Sequence, residues 1–330
     1  MNIGLIDVDS HNFPNLALMK ISAYHKAKGD TVEWWIPLMH YDIVYVSKVF
    51  GDEYTDMDTT AIQADKIVFG GTGFAISVVD GREVFEKEND GDLPYEIEHS
   101  YPDYSLYPQF TKETAYGFLT RGCPNNCAFC CVCKKEGKVS HKVADLNEFW
   151  SGQKNIVLLD PNILACRQHL DLLRQLAESG AWVDFNQGLD ARFITEANLK
   201  LLMQIKIKII HFAFDFMKNE KRIVSGLKMA KEYLKLDERN SVVYMLTNFD
   251  TTIKEDLYRV KLIQECGYVP DIRIYRKNAL PKRHILRDLQ RWCNNRFLYR
   301  SCNFFDYVPR ADGKTIKEIY KDELQNCEVI

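Results

Sequence analysis

Between residues 113 and 276 the chain alternates short apolar runs with segments of helical length, and this rhythm restricts its fold more than any other feature. Apolar, β-branched and aromatic runs at 115–120, 155–159, 182–185, 207–213, 241–246 and 270–275 read as strands. Helical segments are expected between them at 145–152, 165–179, 195–204, 217–236 and 252–266. Strands that each hand over to a helix predict an α/β fold, with a parallel sheet and right-handed crossovers. Six such strands are fewer than a closed eight-fold barrel needs. An open or partial (β/α)6 barrel is therefore expected, with function at the C-terminal strand ends.

Residues 1–80 read as a small Rossmann-like α/β domain. Strands are expected at 2–7, 31–36 and 66–69 and a helix at 14–28, with Gly70, Gly71 and Gly73 following the last strand. Residues 81–112 are expected as an acidic linker, since eight carboxylates face two basic residues between Asp80 and Glu98. Residues 277–330 read as a helical, basic extension with a helix at 281–294. An apolar share of 46% and a charged share of 27% suit a globular protein, and a net charge of −3 gives no global field toward nucleic acid or membrane. No apolar run approaches the roughly 18–20 residues that span a bilayer. The first ten residues lack the basic segment of a secretory signal, so a cytoplasmic location is expected.

Half of the ten cysteines lie in one loop, TRGCPNNCAFCCVCKKEG, just after the first strand of the array. In a reducing compartment such a cluster reads as metal-binding or catalytic. Cys123, Cys127 and Cys130 can ligate three corners of a [4Fe–4S] cubane and leave the fourth iron open to a small chelating molecule. Gly122 and Pro124 let the loop wrap a bulky cluster, and Phe129 offers a flat apolar face beside it. Two other readings use the same residues. One is a non-catalytic zinc module in which Cys131 or Cys133 gives a fourth thiolate. The other is a cluster that only carries electrons. Cys166, Cys266 and Cys293 fall in helical patterns and read as small buried hydrophobes.

The triplet Cys123-x3-Cys127-x2-Cys130, with Phe129 before its last cysteine, resembles the signature of the radical S-adenosylmethionine (SAM) enzymes. The resemblance covers about 113–276 in architecture and is sharpest at 117–137. It implies an enzyme whose cluster has SAM chelated on the open iron by its amino and carboxylate groups. Reductive cleavage of the sulfonium then gives a 5′-deoxyadenosyl radical, which abstracts hydrogen from a substrate that the sequence does not specify. It also implies an electron donor such as a flavodoxin or ferredoxin.

In that family SAM lies across the C-terminal strand ends. Asp160 or Asn162 stands where a glycine-rich turn often binds the SAM amino group, although here the glycines are missing and a helix cap explains both residues equally. Asn186 and Gln187 suit ribose hydroxyls or a substrate, and Arg192 suits the SAM carboxylate. Asp215 and Asn248 follow the fourth and fifth strands and are candidates for the same cavity.

The layout also resembles cobalamin-dependent radical SAM enzymes, which carry a cobalamin domain ahead of the barrel. The cobalt-ligating pattern is incomplete here, because Asp9-Ser10-His11 is followed by Pro14 where glycine should stand. Scaffolding or substrate binding is therefore favoured over cobalamin for residues 1–80. Between 276 and 300 eight basic residues oppose Asp288 alone, with Trp292, Phe297 and Tyr299 interleaved. Such a stretch can serve a single-stranded nucleic acid, although a solvated helix face accounts for it as well.

Overall fold

Strand β1 (Asn2–Asp7) leads through α1 (Leu16–Ala27) to β2 (Thr31–Trp34), then β3 (His40–Ser47) and β4 (Gln63–Gly70). They form one sheet in the order β2-β1-β3-β4, with every pair parallel. The structure is a computed structural model that describes residues 1–325 apart from Glu53 and Asp56; Cys327 lies outside the described residues. The Asn15 side chain caps α1 by accepting from the Leu18 amide. Ile3 and Leu5 pack with Leu18, Ile21 and Ile97 in one cluster, while Tyr41, Val44 and Val46 form another.

Strand β3 is not among the expected elements, yet it is central. Because β2 lies on one side of β1 and β3 on the other, the strand order reverses between β1 and β3. At such a switch point an α/β sheet opens a crevice at its C-terminal edge.

The stretch expected as an acidic linker carries structure. Strands β5 (Ile76–Val79) and β6 (Arg82–Phe85) make an antiparallel hairpin, and the short helices α2 (Tyr95–Glu98) and α3 (Pro108–Thr111) follow. Phe85 and Ile97 are buried. Next come β7 (Thr114–Gly117) and β8 (Thr120–Arg121), then α4 (Val132–Lys135) and β9 (His141–Lys142), which pairs antiparallel with β8. Strand β10 (Asn155–Leu158) pairs parallel with β7 and leads to α5 (His169–Ser179). The helix expected at 145–152 is only one 3-10 turn, Leu146–Glu148. It stops where the Phe149 ring covers Gly117, and a Cβ at 117 would fall 2.3 Å from that ring.

The chain divides into two units, 1–183 and 184–330, with the boundary inside β11 (Trp182–Leu189). The second unit continues with α6 (Glu196–Leu202), β12 (Lys206–Ala213), α7 (Glu220–Leu234), β13 (Ser241–Thr247), α8 (Ile253–Glu265) and β14 (Val269–Ile274). Helices α9 (Ile285–Asn294), α10 (Arg296–Ser301) and α11 (Ile316–Ile319) complete it. The strands belong to a six-stranded sheet in the order β14-β13-β12-β11-β10-β7, and the pairs β12–β13 and β13–β14 are parallel. On one face Ile210, Phe212, Val243, Met245 and Ile272 are fully buried. Among the described residues no helix is long and apolar enough to cross a membrane.

Helix α7 approaches the turn after β11 at Gly226, where a Cβ would lie 1.9 Å from the Ala191 carbonyl oxygen. Alanine is the better helix former by about 1 kcal/mol. Gly226→Ala is nevertheless expected to lower stability by about 1–3 kcal/mol, because backbone must move to admit the methyl group. Thermal denaturation checks this, and a raised melting temperature would rule out the close approach.

In the C-terminal extension α9 buries Ile285, Leu286, Leu289, Trp292 and Cys293. Trp292 is thus a core residue packed against Tyr299 and Phe304, whereas Phe297 is 88% exposed. Arg287 is occupied too, donating to the carbonyls of Lys277 and Leu280.

Candidate active site

The cysteine loop leaves the sheet through Gly122, whose φ of +81° is left-handed and whose Cβ would fall 2.3 Å from the Val139 carbonyl. Only glycine combines that backbone with that approach. The base of the loop is closed by Glu136, which accepts from the Gly122 amide at 3.0 Å and from Arg121 at 2.8 Å. Arg121 stacks over the Phe118 ring and also donates to Glu98 at 3.0 Å, and Glu98 in turn pairs with Lys20. Burial alone would raise the Glu98 carboxyl, but the charges of Lys20 and Arg121 leave it below its ordinary value. On α4, Lys135 reaches Asp90 at 3.5 Å and donates to Thr72 at 2.6 Å. Carboxylates of the acidic stretch thus neutralise cations that flank the cysteines. No local pattern marks these pairs, because the partners lie 23 and 45 positions apart.

Within the loop the cysteines are not equivalent. None of the five thiols from Cys123 to Cys133 is in a disulfide, and of the five only Cys133 is buried. Its sulfur accepts from the Asn126 amide at 3.2 Å and donates to the Cys123 carbonyl at 2.9 Å. That thiol stitches the first turn together across Asn126, which has a left-handed φ of +46°. Cys133→Ser is expected to keep both bonds. Cys133→Ala orphans a backbone amide and is expected to speed loss of bound iron several-fold, read as iron retained after gel filtration.

Cys130 lies in the field of Cys131, Cys127 and Cys123, and burial pushes its thiol up to about 12. A coordinated thiol is deprotonated outright, so binding a metal centre relieves this cost. Among the described residues no three or more His, Cys, Asp or Glu side chains converge closely enough to hold a single ion. With Cys133 engaged in the turn, the fourth thiolate of a zinc site would fall to Cys131, whereas a three-thiolate cluster would need Cys123, Cys127 and Cys130 alone. Phe129 is half-buried in the same loop.

The residues after β10 serve this loop. Asp160 is buried and accepts from the Leu119 amide at 3.0 Å and from the Thr120 amide and hydroxyl, both at 2.6 Å. Burial pushes its carboxyl up to about 6. Both oxygens are spent on the segment leading into the cysteines, and neither caps a helix. The Asn162 side-chain amide donates to the Cys123 sulfur at 3.6 Å, and the Asn162 backbone carbonyl accepts from the Ser140 hydroxyl. Of the residues expected for SAM, Asn162 is the one that touches a cysteine of the triad in this unit.

The second unit carries the other candidates near the ends of its strands. Arg192 makes a two-toothed pair with Asp190, at 2.8 and 2.7 Å. Gln187 is exposed and donates to the Asn186 carbonyl oxygen of its side-chain amide at 3.3 Å. Asn248 has a left-handed φ of +64° and donates to the Tyr275 carbonyl. Asp215 accepts from the Leu246 amide at 2.9 Å, and burial raises its carboxyl. Beneath it Arg259, fully buried on α8, donates to the carbonyls of Phe214, Asp215 and Leu246 and pairs with Asp256. Asp215 and Arg259 thereby tie the C-terminal ends of β12 and β13 together. Arg259 escapes a sequence reading because a charge in an amphipathic helix is expected to face water.

No family model and no curated protein sequence matches the chain. Among solved structures it is similar to the radical S-adenosylmethionine methyltransferase TsrM from Kitasatospora setae, determined with cobalamin and a [4Fe–4S] cluster bound. The TM-score is 0.59 at 12% identity, over 83% of this chain and 72% of that one. At this identity the likeness is one of fold, and the chain has a radical-SAM-like α/β fold.

Proposed function

We propose that this protein is a radical SAM enzyme. The observation that supports the reading is the loop past β7, in which the Cys133 thiol pins the turn that carries Cys123 and the Asn162 amide donates to the Cys123 sulfur. When bound, a [4Fe–4S] cluster on these thiols supplies the electron that splits SAM, with its fourth iron open to that molecule. Asn162 stabilises negative charge on the Cys123 sulfur through its amide N–H. Asp160 fixes the approach to the loop, and Arg121 with Glu136 fixes its base. Arg192, oriented by Asp190, is assigned to a carboxylate of SAM or substrate. Asn186, Gln187 and Asn248 are assigned to polar groups of the same ligands, with Asp215 acting through the backbone it holds.

Methyl transfer with cobalamin is the second reading, and a specific observation favours it. The N-terminal sheet has four parallel strands, and exposed apolar side chains stand at or just past the C-terminal ends of three of them: Trp34 and Ile36 at β2, Phe50 after β3 and Phe69 at β4. A large, partly apolar cofactor suits that edge. Pro14 still interrupts the cobalt-ligating pattern, so cobalamin would be held here without that histidine; TsrM was determined with cobalamin bound.

Anaerobic reconstitution with iron and sulfide, then reductant and SAM, tests both readings. 5′-Deoxyadenosine supports hydrogen abstraction, and S-adenosylhomocysteine formed only with added cobalamin, whose reduced cobalt accepts the methyl group, supports methyl transfer. If neither product appears from cluster-loaded protein, the proposal fails.

A further inference from the structure

The second unit contains a polar row that none of the roles above uses. Parallel strands buried on both faces ordinarily carry aliphatic side chains on each. The face opposite Phe212 and Val243 instead presents Asp184 on β11, His211 on β12, Tyr244 on β13 and Arg273 on β14. The Asp184 and His211 side chains are only 13% and 11% exposed.

The hydrogen bonding of this row is incomplete in one direction. His211 Nδ1 lies 3.1 Å from the Phe185 carbonyl, which can only accept, so Nδ1 carries the proton and Nε2 is the acceptor. Burial lowers the basicity of this ring and keeps it neutral. Asp184 Oδ1 is 3.9 Å from Nδ1, too far for a hydrogen bond, and has no hydrogen-bond partner among the described residues. The Tyr244 ring stacks on His211 at 4.7 Å and 6°. Arg273 covers Tyr244 at 5.0 Å, but its charge is matched by Asp271 at 3.0 Å. What remains is one carboxylate oxygen without a hydrogen bond, with Lys208 as the cation in its field, and one imidazole acceptor beside a stacked ring. The oxygen, the imidazole acceptor and the ring attract a cation with N–H donors, and none of the three welcomes an anion.

We propose that Asp184, His211 and Tyr244 form a subsite for a primary amine of the substrate, held as its ammonium. This names a substrate class for the radical-enzyme reading and rests on that reading only in taking the amine to belong to the substrate. The ammonium donates to Asp184 Oδ1 and His211 Nε2, and the stacked rings shield it from water.

Calorimetric titration of the full chain, without cluster or SAM, tests the subsite with benzylamine as probe and benzoate as control. Saturable benzylamine binding with no benzoate binding is expected. Asp184→Asn should weaken it roughly tenfold to a hundredfold, as loss of a hydrogen bond to a charged group does. His211→Gln serves as a further variant, since Asp184→Asn can disturb folding, and each is compared at native circular dichroism. Absence of saturable binding to the native chain overturns the subsite and leaves only a trapped water on Asp184. Unchanged affinity in folded Asp184→Asn or His211→Gln overturns it as well. Because the titration needs no cluster, a chain that cleaves SAM but ignores benzylamine loses the subsite and keeps the radical chemistry.

Discussion

Alanine at Cys123, Cys127 or Cys130 is expected to take reconstituted protein from about four irons per chain to almost none, and SAM cleavage to background. Each thiolate holds a different corner of the cluster, so losing one exposes two irons to water and the centre disassembles. Cys131→Ala is expected to keep the cluster, because Cys131 supplies no corner in this reading. Iron and sulfide analysis, the electron paramagnetic resonance signal of reduced protein and chromatography of nucleoside products read the outcome. If Cys131→Ala strips the iron as completely as Cys130→Ala does, the cluster has a fourth thiolate. SAM would then have no iron on which to bind, and the enzymatic reading would fall.

The second large effect concerns stability. Arg259→Ala is expected to cost about 3–5 kcal/mol, because it leaves Asp256 as a buried, unpaired charge and removes the donors of three strand-end carbonyls. That is a large share of the roughly 5–15 kcal/mol by which domains are stable, so much of the protein should misfold. Urea unfolding followed by circular dichroism measures the loss. Asp256→Leu together with Arg259→Met should recover part of it, since removing both charges ends the electrostatic penalty and leaves only the carbonyls short of donors. A single variant as stable as the parent would mean that the guanidinium does not bridge β12 and β13.

Local pattern carried much of the architecture. The strands from β10 to β14 announce themselves by apolar runs, because at least one face of each is buried. The cysteine triplet is equally local, since its ligands sit within eight residues. Strand β3 escaped because Asp42 and the polar ends of HYDIVYVS dilute its apolar signal, although Tyr41, Val44 and Val46 are buried. The 145–152 segment reads as a helix because periodicity does not reveal that Phe149 must cover Gly117.

The sequence by itself determined that strands and helices alternate, that an α/β sheet results, and that three thiols stand together on one strand-end loop. These follow from spacing along the chain, which the backbone geometry of helix, strand and turn converts directly into shape. Only the tertiary structure decided that Cys133 is a stitch, that Glu98 and Asp90 serve the cysteine loop, that Arg259 is buried, and that Asp184 and His211 share a face. Each of those depends on residues far apart in the chain being brought side by side, where burial fixes which charges are matched and which acceptors stay open.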